Sequence, residues 1–312
     1  MRRGVLLAGL LCAAAAVPLQ PAAAERRLPV VATFSILADI VAQVGGDAVE
    51  ASSLVAAGSD VHVFQPGPNH ARQLAGASLV VSNGLGFEGW IDRLVRSSGY
   101  RGAVAVATRG IEPLRSRGHG HSHDDKHQAA DPHAWQSVPN MKRYVANVAD
   151  ALCGVAAPSC AVFRDNAARY ERTLDDLDRD IRATLSVVPA ERRKVITSHD
   201  AFAYYAREYG VQFLAPVGIS TESEPSAAAV GRLIRQIRKE RVNAFFVEGI
   251  SDPRLIERIR DETGGALPGR LYSDALSGPD GPAASYPAMM RYNTQAITSA
   301  LSAPAATPPA RR

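Results

Sequence analysis

Three histidines and one aspartate stand roughly 65 to 75 residues apart along the chain, a spacing at which only tertiary structure can gather them. They are His62 in GSDVH, His133 in DPHAW, His199 in VITSHDAF and Asp274 in LYSDAL, each read as closing a strand-like run. Three imidazoles and one carboxylate form a nitrogen-rich donor set. Such a set suits a divalent transition ion, zinc above all, and differs from the all-oxygen shells of calcium and magnesium. Glu248, Asp200 and Glu224 also stand at strand or helix ends and are alternative oxygen donors. A carboxylate that does not ligate can instead orient an imidazole through its second ring nitrogen, the role that suits Asp200 and Glu248. Trp135 and Tyr272 lie within two residues of proposed ligands and read as apolar cladding that dries the site.

Positioning four such residues requires a repeated strand–helix pattern, and the chain has one. Short β-branched runs at 30–34, 49–55, 78–82 and 103–107 alternate with helical stretches, the sign of a parallel sheet covered by helices. A second series starts at Arg193, with strands near 212–215, 244–247 and 270–272. Its helices are expected over 201–208, from Glu224 with Pro225 in the first turn, over 252–262 and over 286–301. Between the two series, Tyr170, Leu174, Leu177, Ile181 and Leu185 repeat at spacings of three and four, one apolar stripe on a helix over 161–187. The fold expected is α/β: two (β/α)4 lobes joined by that single long helix, with the metal site in the cleft between them. The lobes are placed at 25–160 and 188–303, with a disordered tail over 304–312 and a separate core in each lobe.

The N-terminus reads as a secretory signal. Arg2 and Arg3 precede an apolar run that ends in Ala22-Ala-Ala, so cleavage is expected after residue 24. Cys12 follows Leu11 rather than a small residue, which argues against a lipid anchor and for a soluble periplasmic protein. Loss of Arg2 and Arg3 takes the formal charge from +4 to about +2, too weak a bias for a nucleic-acid partner. Export leaves Cys153 and Cys160, separated by a short Gly/Pro-containing loop, as a disulfide. The tract with His119, His121, His123 and His127, within 117–127, is either a solvated linker or a weaker metal-collecting arm.

The stretches GSDVH (58–62), DPHAW (131–135), SHDAFAYYAREYG (198–210), GISTESEPS (218–226) and YSDALS (272–277) together resemble the metal-binding solute-binding proteins of ABC importers, the ZnuA/TroA/AztC type known as cluster A-I. The resemblance covers nearly all of the mature chain. It implies two (β/α)4 lobes on one long helix, with metal ligands at His62, His133, His199 and Asp274. Manganese-specific members carry glutamate where His199 stands, so the third histidine favours zinc. The sequence Asp60-Val-His replaces a common Asp-Pro-His, a change expected to loosen the loop around His62.

On this reading the chain is not an enzyme. It is a monomer that takes up Zn2+ and passes it to an ABC permease with its ATPase, with a zinc metallochaperone as a further candidate partner. Two rivals differ in class. A zinc hydrolase would use Asp274 as a base and leave one coordination position for water, whereas a zinc buffer or adhesin would work without a permease. Imidazole ligands must be unprotonated and titrate near pH ~6.5, so metal affinity is expected to fall below about pH 6.

Overall fold

β-Branched and aromatic runs set the strands, and the helices between them bury one face each. The computed structural model describes residues 27–115 and 129–302. The signal segment, the histidine tract and the tail lie outside the described residues. The first lobe comprises β1 (Leu28–Phe34), α1 (Ser35–Gly45), β2 (Val49–Val55), α2 (Pro68–Ala75), β3 (Leu79–Ser82), α3 (Ile91–Ser98) and β4 (Ala103–Val106). Its strands lie in the order β2-β1-β3-β4, all parallel. The helices α4 (Val138–Val155) and α5 (Cys160–Ser186) follow. The second lobe contains β5 (Lys194–Ile196), α6 (Ala203–Tyr209), β6 (Gln212–Leu214), α7 (Ala227–Glu240), β7 (Ala244–Glu248), α8 (Arg254–Thr263), β8 (Ala266–Leu271) and α9 (Tyr286–Ser302). Its strand order, β6-β5-β7-β8, repeats that of the first sheet.

In both sheets the chain runs outward from a central pair, β1/β3 or β5/β7, so the connections diverge at the carboxyl ends of those strands. A crevice forms there, the usual place for a ligand in an open parallel sheet. The 27 residues of α5 span ~40 Å at the helical rise, and its predicted stripe from Tyr170 to Leu185 is buried throughout. It packs on α1 and α4 at one end and on α6 and α9 at the other.

Several expectations need correction. The helix α4 was not anticipated, although Val138, Met141, Tyr144, Val145, Val148 and Leu152 all fall on one buried face. Ser137 marks its start by accepting a hydrogen bond from Asn140 N, and a proline occupies the first turn. Pro225 lies before α7 rather than inside it: Ser226 is the cap, and its side chain accepts from Ala229 N. β8 begins at Ala266, ahead of the predicted 270, because an edge strand tolerates Pro268 at an irregular pairing.

The two cores are not separate. One apolar cluster runs from the first sheet through α4 and α5 into Phe202, Tyr205, Met289, Met290 and Ile297 of the second lobe. Only the layer under α7 and α8, including Ile234, Ile237, Phe245 and Ile259, stands alone. α9 closes this continuity by packing on α1 as well as on α5 and β8.

Cys153, near the end of α4, is bonded to Cys160 at the start of α5. The bridge closes a short loop and so chiefly restricts the unfolded chain. Replacing both cysteines with serine is expected to cost about 2 to 3 kcal/mol of stability in denaturant titration and to leave metal affinity unchanged.

Candidate metal centre

Each of the four predicted residues sits on a loop at the facing carboxyl ends of the sheets. His199 and Asp274 follow β5 and β8 after a few residues, as expected. His62 lies further beyond β2, in a turn. His133 follows no strand of its own sheet and instead opens a 3-10 turn at Ala134–Gln136. The pattern of four strand ends therefore holds for two of the four, because loops deliver the other two.

The structure brings all four together. Their donor atoms lie within 4.8 Å of one another and all four residues are buried. Asp274 Oδ2 is 3.5 Å from His62 Nε2 and 3.2 Å from His199 Nε2, while Oδ1 is 3.6 Å from His133 Nε2. The His62 and His133 separations exceed the usual N–H···O range, and the His199 separation stands at its upper edge. They approach the edge of a tetrahedron with bonds of about 2.0 Å, which is about 3.3 Å. The three Nε2 atoms and both Asp274 oxygens are buried without a hydrogen-bond partner. Burying five such atoms unpaired is costly, and a cation among them would engage the three nitrogens and the carboxylate together.

For two of the three rings the far side explains why Nε2 faces inward. His133 Nδ1 lies 2.7 Å from Asp131 Oδ1, which also accepts from the His133 backbone N–H at 2.9 Å. His199 Nδ1 lies 2.5 Å from Glu248 Oε2, and Glu248 Oε1 accepts from His199 N at 2.8 Å. A carboxylate that takes the Nδ1 proton leaves the Nε2 lone pair for a metal. Glu248 thus takes the orienting role rather than the oxygen-donor role. Asp131 does the same work for His133 and was missed in the sequence, where Asp-Pro-His gives a local signal for it.

A further unanticipated residue is Glu88. Its buried carboxylate accepts from the Thr33 hydroxyl (2.5 Å) and from the backbone N–H groups of Asn83 (2.6 Å) and Gly84 (3.2 Å). Burial pushes its pKa up and these donors oppose the shift. The bonds fold Asn83–Glu88 into a tight turn in which Gly84, Leu85 and Gly86 all have positive φ. A Cβ at Gly84 would meet Val106 at 2.5 Å, so this position requires glycine. The turn sets Phe87 edge-on to His62 and His133, with centroids 4.9 and 5.8 Å away. Trp135, fully buried, packs on Phe34, Phe87 and the His133 ring. It is the apolar cladding expected of it, whereas Tyr272 is only partly buried.

The loop around His62 is not loose despite Val61. Asp60 Oδ1 accepts from His62 N at 2.9 Å, Trp90 Nε1 donates to Val61 O at 3.0 Å, and Val61 is fully buried. The bonds that a proline would have replaced by stiffness are supplied by neighbours.

Electrostatically the site calls for positive charge. Burial disfavours the charged Asp274, yet His199 and His133 hold its carboxyl well below the usual carboxylate range. Burial would likewise lower the His199 pKa, but the Glu248 and Asp274 carboxylates carry it well above the ordinary imidazole value.

Two lobes on a shared helix, closing over a dry nest of donor atoms, define a bilobal receptor that encloses its ligand. Residues 30–300 match the profile of the family described as the periplasmic zinc-uptake complex component A, and the chain belongs to that family. It is similar to the iron-binding protein YfeA of Yersinia pestis, with 30% identity over 293 residues, 94% of this chain and 92% of the relative. It is also similar to the manganese-binding lipoprotein MntA of Bacillus subtilis, with 31% identity over 286 residues, 89% and 91% of the two chains. The periplasmic zinc-binding protein TroA of Treponema pallidum superposes with a TM-score of 0.81 at 28% identity, covering 89% of this chain and all of TroA. The protein is therefore a metal-binding receptor of an ABC importer, with a cognate permease and ATPase, and not an enzyme. Among the described residues no helix is long and apolar enough to cross a membrane.

Two outcomes follow from this geometry. Glu248→Gln and Asp131→Asn are each expected to weaken metal binding about 10- to 100-fold in competition with a chelator, and unaltered affinity would show that the carboxylates do not tune the rings. The Glu248 and Asp274 carboxylates favour a proton on the His199 ring, and a metal must compete with it. Low pH thus favours the metal-free form, and the loss of affinity begins above the pH of about 6 expected for free imidazoles. Calorimetry at pH 7 in buffers of different ionisation enthalpy is expected to show about one proton released per ion bound; zero release would contradict the assignment.

Proposed function

We propose that this protein captures Zn2+ in the periplasm through His62, His133, His199 and Asp274 and delivers it to its permease. The observation that carries the reading is the set of three unpartnered Nε2 atoms around an unpartnered carboxylate, all buried, at separations close to a tetrahedral edge. A set of three nitrogens and one carboxylate favours zinc over manganese, which is better served by oxygen-rich sites. His199 supports the same choice, since it stands where the manganese-specific members resembling this chain carry glutamate.

Divalent affinity orders alone place copper above zinc, so selectivity in the cell rests on geometry and supply. A nanomolar dissociation constant would correspond to about 12 kcal/mol, so delivery requires the site to be opened by the permease rather than by thermal escape alone. The apolar continuity through α5 and α9 favours a small tilt with loop motion over a wide hinge.

Protein purified without chelator is expected to carry about one Zn2+ per chain by elemental analysis, and to bind Zn2+ more tightly than Mn2+ in competition. His62→Ala and Asp274→Ala should each lose more affinity than the about 100-fold assigned to the orienting carboxylates. Retention of Mn2+ in place of Zn2+, or wild-type affinity in either variant, would overturn the reading.

A further inference from the structure

The four ligand loops are not equally anchored. Those carrying His62, His133 and Asp274 are braced to one another across the cleft. Gly58 N donates to Leu276 O (3.0 Å) and Leu276 N donates to Ser35 Oγ (2.9 Å). Trp135 Nε1 and Gln136 Nε2 both donate to Ser273 O, each at 2.8 Å, and Tyr286 Oη donates to Trp135 O at 2.7 Å. Separating the lobes as rigid bodies would break these bonds together and expose the shared apolar core.

His199 is placed differently. A cavity of about 810 Å³ runs between α7 and α8 and reaches Ser198 and His199. Thr221, Ala227, Val230 and Ile250 line it, with Asp60 on the facing lobe. The metal-facing Nε2 of His199 is nevertheless buried, so the route stops short of the donor atoms. Residues 217–226 run beside His199, with Val217 bridged to it and Gly218 O accepting from Asp200 N. They reach the first lobe through the Thr221 hydroxyl, which donates to Asp60 Oδ2 at 2.6 Å. The other oxygen of Asp60 accepts from the His62 backbone, so one carboxylate ties the His199-side loop to the His62 loop.

We propose that the metal reaches and leaves its site through this cavity, past His199, and that the Thr221–Asp60 hydrogen bond is the latch that keeps the route shut. The inference rests on the four-residue coordination proposed above. Swinging residues 217–226 outward breaks this one bond to the first lobe and the contacts of Val217 and Gly218 beside His199, while the braced loops stay in place, which makes it a lower-cost opening than separating the lobes. His199 is then the last ligand to engage and the first to let go. Thr221 is a positioning residue: it acts through the loop and Asp60 and does not touch the metal.

The test is stopped-flow kinetics of Zn2+ binding, and of Zn2+ release to an excess of a chromogenic chelator, on the full mature chain. Thr221→Val keeps the shape and removes the donor; Thr221→Ser keeps the donor. A latch predicts that Thr221→Val speeds binding and release together, by about tenfold for a hydrogen bond to a charged acceptor, with little change in their ratio, and that Thr221→Ser behaves as wild type. Ala227→Trp, at an exposed position lining the cavity, is expected to slow both rates together and leave the equilibrium constant unchanged. Unaltered rates in both Thr221→Val and Ala227→Trp would overturn the proposal, as would a weaker affinity in Thr221→Val with binding no faster. Weak Zn2+ binding by the wild type would bring down the coordination reading itself, and the route with it. Tight wild-type binding, lost in His199→Ala but with kinetics indifferent to Thr221 and Ala227, would sink the route alone.

Discussion

A carboxylate buried among imidazoles and shut off from bulk solvent is the constraint on which this structure turns. Asp274 has lost its hydration and faces three ring nitrogens at 3.2 to 3.6 Å, which leaves the centre in need of positive charge. In the metal-free protein the carboxylates around His199 raise its affinity for a proton that would supply part of that charge. A divalent ion supplies more, and does so at the point where five unpartnered donor atoms converge. Proton and metal compete for the same electron pairs, so affinity, pH dependence and release are aspects of one balance.

The rest of the fold holds that arrangement in place. Two parallel sheets present their carboxyl ends to each other, α5 and α9 fix their separation, and an apolar core runs between the lobes. The orienting carboxylates are held as firmly as the ligands. Glu248 is clamped between the His199 backbone and its ring, and its own N–H donates to Ser198 Oγ. Tyr204 of α6 reaches across the cleft to donate to Asp131 O at 2.9 Å. Preorganisation of this kind moves the entropic cost of gathering four side chains from the binding step to folding.

Much of this was legible in the sequence because it rests on local signals. β-Branched strand runs, the α5 stripe at spacings of three and four, and histidines within short distinctive stretches specify the two lobes and gather the four residues. What escaped depends on tertiary partners. α4 is masked in the sequence although its buried face follows helical spacing, because the proline in its first turn and Cys153-Gly154 near its end read as loop signals. Glu88 looks like an ordinary surface acid until Thr33 and the Asn83 turn close on it. Val61 reads as a loosening substitution until Trp90 is seen bonded to its carbonyl. The union of the two cores could not be inferred either, since chain length suggests two domains but does not say whether helices such as α6 and α9 serve both.

The central claim, that three imidazoles and Asp274 enclose one zinc ion, is tested most directly by anomalous diffraction at the zinc edge from crystals grown with Zn2+. The account predicts one strong peak within about 2.0 to 2.2 Å of the Nε2 atoms of His62, His133 and His199 and of an Asp274 oxygen. A peak elsewhere, or no peak among these four side chains in zinc-saturated protein, would contradict it.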